Sequence, residues 1–95
     1  MMNNILLINR INNKDYSGRK KKVFFLIGEM ETAPVKQRLM DILDTARIVD
    51  KSEIVYKYNG VELGILIQSI PIIIKLLSDA DINIYGVYAT YNPEI

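Results

Sequence analysis

The chain has no cysteine, no histidine and no tryptophan among its 95 residues. The missing cysteine excludes a disulfide framework, a thiolate zinc site and a thiol nucleophile. The missing histidine removes the side chain that most readily moves protons at neutral pH and the commonest metal ligand. Three prolines and five glycines are too few for a fibrous or low-complexity chain. Long apolar runs are absent too. Ile5 to Ile8 falls short of the ~7–15 residues of a signal-peptide core, and nothing approaches the ~20 needed to span a bilayer. No Walker A phrase is present, so P-loop ATPase chemistry is excluded. From these absences we expect a cytoplasmic protein that is not an enzyme, with no catalytic residue, no metal, no cofactor and no membrane partner.

What remains is a chain that is 49% hydrophobic and 24% charged, enough apolar material for one small core. The formal net charge of +1 conceals an asymmetry. Residues 1–22 carry Arg10, Lys14, Arg19, Lys20, Lys21 and Lys22 against Asp15 alone, whereas the rest has six basic and ten acidic side chains. The expected organisation is an N-terminal basic arm over 1–22, with an additional strand at 4–10, followed by a folded domain over 23–95.

Hydrophobic periodicity predicts the elements of that domain. Val23 to Gly28 is apolar at both alternating positions, as a central strand requires. Thr32-Ala33-Pro34 reads as a helix start, with Thr32 as the cap, and Val35, Leu39, Ile42, Leu43 and Ala46 form one stripe of a helix ending near Arg47. Glu53 to Tyr58 and Val61 to Gln68 alternate on either side of Asn59-Gly60, predicting a hairpin with a type I′ turn. Ser69-Ile70-Pro71 repeats the helix-start phrase and opens a second helix to about Asp79, and Asp81 to Tyr91 reads as a last strand, with Ile82, Ile84, Gly86 and Tyr88 on one side and Asn83, Tyr85, Val87 and Ala89 on the other. The order strand, helix, strand, strand, helix, strand predicts an α+β, ferredoxin-like β-α-β-β-α-β sandwich: a four-stranded antiparallel sheet with two helices on one face.

Two segments are candidate sites. In the strand-to-helix turn, Gly28, Glu29, Glu31 and Thr32 combine acids that attract an ammonium group with helix-start amides that attract an anion, which suits a small zwitterionic effector. In the arm, Tyr16 beside Arg19, Lys20, Lys21 and Lys22 offers a stacking ring and four consecutive cations to the phosphates of a nucleic acid. The Gly-containing turn, the element order and the phrase Leu77-Ser78-Asp79-Ala80-Asp81-Ile82-Asn83-Ile84-Tyr85 resemble ACT-type regulatory domains. That resemblance implies binding of an amino acid or similar effector at a dimer interface beside the first strand-to-helix turn. In the usual ACT pattern the "INI" strand follows the first helix and a glycine follows the proline of the turn, whereas here Asn83 follows the second helix and Val35 follows Pro34.

If both helices cover one face, the alternate apolar set of Val23 to Ile27 is left on the other. The sequence therefore predicts a regulatory or protein-interaction module that forms a homodimer or meets a protein partner through the sheet. The competing expectation is a nucleic-acid-binding protein that uses the basic arm.

Overall fold

The computed structural model describes residues 8, 9 and 11–90. The chain has an α+β fold built on a five-stranded antiparallel sheet. Its strands are β1 (Ile8–Asn9), β2 (Lys21–Ile27), β3 (Ile54–Lys57), β4 (Gly60–Ile65) and β5 (Ile84–Thr90), in the spatial order β1-β5-β2-β4-β3. Helix α1 (Ala33–Ala46) joins β2 to β3, and α2 (Ile70–Asp79) joins β4 to β5. The arrangement is compatible with a ferredoxin-like plan. Beside the four predicted strands stands β1, within the additional strand expected at 4–10, which pairs Ile8 and Asn9 with Thr90 and Ala89 at the β5 edge. Of the strand expected at 4–10, positions 4–7 and 10 lie outside the described residues.

One face of the sheet carries the core. Val23, Phe25 and Ile27 of β2 and Val61, Leu63 and Ile65 of β4 pack with Leu39 and Leu43 of α1 and Ile73 and Leu77 of α2. The register explains the grouping: Val23 lies opposite Leu63 and Phe25 opposite Val61, so alternation sends all four side chains to the same side. Phe24 and Leu26 therefore point away from the helices. The helical stripe is graded, with Leu39 and Leu43 buried and Val35 and Ile42 half-buried at its margin.

Three local expectations need correction. The hairpin forms, but its two turn residues are Tyr58 and Asn59, because Lys57 pairs with Gly60. Among the described residues φ is positive only at Gly18, Glu29, Arg47 and Asp81, so the turn is not type I′. Gly60 serves packing instead: a Cβ there would collide with the Phe25 carbonyl oxygen and come within 2.7 Å of the Phe24 ring. Second, neither Thr32 nor Ser69 caps its helix through its side chain. The Thr32 hydroxyl donates instead to the Glu29 carbonyl at 2.8 Å, closing the preceding turn. Third, the last strand does not alternate evenly. Leu26 pairs with Gly86 but Ile27 with Ile84, leaving Tyr85 as the extra residue of a β-bulge. Ile84 and Val87, on either side of the bulge, consequently both pack against the core.

Candidate functional site

The turn from β2 to α1 is held by three hydrogen bonds and one buried side chain. Gly28 donates its amide to Asn83 O at 2.9 Å, and Thr32 donates its amide to Glu29 O at 3.0 Å as well as its hydroxyl. Glu29 adopts a left-handed φ of 59°. Met30, only 2% exposed, plugs into the core between two exposed acids, Glu29 and Glu31. The predicted effector residues Gly28, Glu29, Glu31 and Thr32 are thus brought together, with the Gly28 and Thr32 amides bonded within the protein. Sequence reasoning missed Met30 and Tyr85. An apolar side chain flanked by two acids in a loop was the available signal for the first. The second, 71% exposed, was not separable from an ordinary strand tyrosine, because the bulge that turns it outward over Gly28 is set by pairing with β2.

The basic segment is not a free arm over its whole length. Lys21 and Lys22 are the first residues of β2, a central strand, and as consecutive strand residues they point to opposite faces. The approach to them is tied down. Asn12 Oδ1 accepts the Lys14 amide at 3.0 Å, Asp15 Oδ1 the Ser17 amide at 3.0 Å and Ser17 Oγ the Arg19 amide at 3.2 Å. Gln68 Nε2, just ahead of α2, donates to the carbonyls of Asn13 at 2.9 Å and Asp15 at 3.2 Å. Bonding from Ser17, reinforced by the charges of Lys21 and Arg19, holds the Asp15 carboxyl below the usual carboxylate range. Lys20 Nζ lies 3.6 Å from Asp50 Oδ2. Lys21 and Lys22 are therefore divided between two faces, Lys20 is paired with Asp50, the Asp15 charge lies near Lys21 and Arg19, and Tyr16 stands beside this run 77% exposed.

The sheet face away from the helices has a self-made cover. Phe24 is only 7% exposed although it lies outside the core cluster, and its ring lies against Gly60. Tyr88, directly opposite Phe24 on β5, folds its ring over Gly86, and Glu53 lies over Gly64 in the same way. Each missing Cβ makes room for a neighbour's side chain. The apolar patch predicted here is consequently closed at its centre.

The β3 edge, in contrast, is open. No strand lies beyond it among the described residues, and Val55 and the adjoining Tyr58 are 44% and 81% exposed. On its core side Tyr56 is half-buried, and burial, with the nearby Asp44 charge, pushes its phenol pKa up.

A shallow groove of about 290 Å³ between α1 and α2, lined by Asp41, Ile42, Thr45, Ala46 and Leu76, shares no residue with either predicted site. Among the described residues, no group of three or more acidic side chains could hold a metal ion, and no helix is long and apolar enough to cross a membrane. Compared with protein-family models, curated proteins and solved structures, the chain finds no match.

Proposed function

We propose that this chain is a non-enzymatic interaction module on a ferredoxin-like plan, in the manner of the small regulatory domains it resembles, and that it meets a protein partner at the β3 edge of its sheet. The observation that carries this reading is the contrast between a sheet face closed at its centre by its own rings and a strand at the sheet edge, among the described residues, with Val55 and Tyr58 exposed. An unpaired strand is a template for another strand unless something blunts it. A small effector enters the proposal through Glu29 and Glu31, which are exposed and suited to an ammonium group, while the Gly28 and Thr32 amides are bonded internally.

Sedimentation over a range of protein and salt concentrations tests the reading. Strand pairing gives association that grows with protein concentration and changes little with salt. A chain that stays monomeric at high micromolar concentration, yet shifts DNA or RNA in a manner abolished by salt, would transfer the function to Arg19, Lys20, Lys21 and Lys22. A thermal-shift screen of amino acids on the natural chain and on Glu31→Gln reads the effector separately. A true ammonium contact is lost with the charge while the fold survives.

A further inference from the structure

We infer that the partner at the β3 edge is a second copy of this chain, joined antiparallel with Tyr56 on the two-fold axis. The inference rests on the edge-interaction reading above and specifies its partner and register. Lys57 pairs with Gly60 across a two-residue turn, so its backbone groups bond inward to β4. Alternation then directs the groups of Ile54 and Tyr56 outward. The Ile54 N–H does point away from β4, since it bonds Lys51 O in the short 3-10 turn (Lys51–Glu53) before the strand. The edge therefore offers the N–H and C=O of Tyr56, the C=O of Ile54 and, past the strand end, the N–H of Tyr58.

That set is self-complementary in one register. With the axis at Tyr56, the two Tyr56 residues exchange both hydrogen bonds, and each Ile54 carbonyl receives the Tyr58 N–H of the other copy. Four bonds form without calling on the occupied Ile54 N–H. An axis at Val55 would oppose Ile54 to Tyr56 and call on that N–H twice. The side chains agree with the Tyr56 axis. Val55, 44% exposed, comes to lie against the aliphatic stem of Lys57 of the second copy. Lysine on an edge strand ordinarily discourages pairing, but here it meets a valine rather than another lysine. The result is an isologous contact that continues the sheet through the dimer.

The natural chain has no cysteine, so introduced thiols report the register directly. Val55 and Lys57 of opposite copies form the close, non-hydrogen-bonded pair, at a spacing a disulfide spans. Mixing Val55→Cys with Lys57→Cys chains under mild oxidation is expected to give a disulfide-linked dimer at least about tenfold more readily than either variant alone. A Val55→Cys chain that links to itself as readily as the mixture overturns this register. A mixture that fails to link while sedimentation still shows a dimer overturns the β3 edge as its site and leaves self-association standing. A chain that remains monomeric throughout overturns the proposal outright. Charge gives a second reading. At low salt Val55→Glu, facing Lys57, should tighten the dimer and Val55→Lys should loosen it, each by about threefold, with both effects shrinking as salt rises. Equal loosening by both variants would contradict the Tyr56 axis.

Discussion

Beneath the helices, Val23, Phe25, Val61 and Leu63 lose all solvent contact because two amphipathic helices lie over them. On the opposite face Phe24 is almost as hidden, at 7% exposure, yet it belongs to no cluster with the helices. Its cover is local: Gly60 in the neighbouring strand, under the Phe24 ring, and Gly86, under the Tyr88 ring of its own strand, lack the Cβ atoms that would hold the rings off the backbone, and Phe24 and Tyr88 lie down on the sheet. Equal burial therefore has two origins in one strand. Burial under a helix draws on many distant residues, whereas a ring laid on a glycine draws on neighbours within the sheet itself.

The largest expected effect separates Phe25 from Phe24. Phe25→Ala opens a cavity that two helices and a sheet cannot close and should cost about 3–5 kcal/mol of unfolding free energy. Phe24→Ala leaves a surface depression that water fills and should cost about 2 kcal/mol. Chemical denaturation of both variants measures the difference, and equal losses would mean that the open face is packed like the core. An intermediate effect separates two glycines of that face. Gly60→Ala meets the Phe25 carbonyl, which cannot move without disturbing β2, and should cost about 2 kcal/mol. Gly86→Ala meets the far end of the Tyr88 ring, which can swing away, and should cost under about 1 kcal/mol. Comparable losses at the two positions would show that the Tyr88 ring is fixed. The smallest effect has the opposite sign. Glu29 holds a left-handed φ of 59° in an exposed turn, so Glu29→Gly should stabilise by about 0.5 kcal/mol, a gain visible as a small rise in Tm. A loss there would mean that the glutamate side chain itself supports the turn.

The helices, the hairpin and the central strand were legible because each is written in a local period. Leu39, Ile42 and Leu43 recur at helical spacing, and Ile54, Tyr56 and Tyr58 at strand spacing. The hairpin turn was displaced by one residue because Asn-Gly meets two demands at once, a positive φ in a turn or a missing Cβ in a strand, and only the approach of Phe24 and Phe25 selects the second. The alternation of the last strand broke at Tyr85 for a related reason, since a bulge is a mismatch between two strands and leaves no mark in either alone. Among the candidate sites, the acids of the β2–α1 turn were visible as residues. The internal bonding of the Gly28 amide depends on Asn83, which is far away in the chain. The basic run was visible as charge, but its division between two faces follows from where β2 begins.

By itself the sequence determined that the chemistry of cysteine and histidine is absent, that the chain has apolar material for one core, and that two amphipathic helices alternate with strands. These follow from composition and from near-neighbour sterics, which act over a few residues. Tertiary structure alone decided which of Phe24 and Phe25 faces the helices, why Gly60 must be glycine, and that β3 lies at the sheet edge among the described residues. Those outcomes depend on contacts between residues far apart in the chain, and such contacts exist only once the strands have chosen their neighbours.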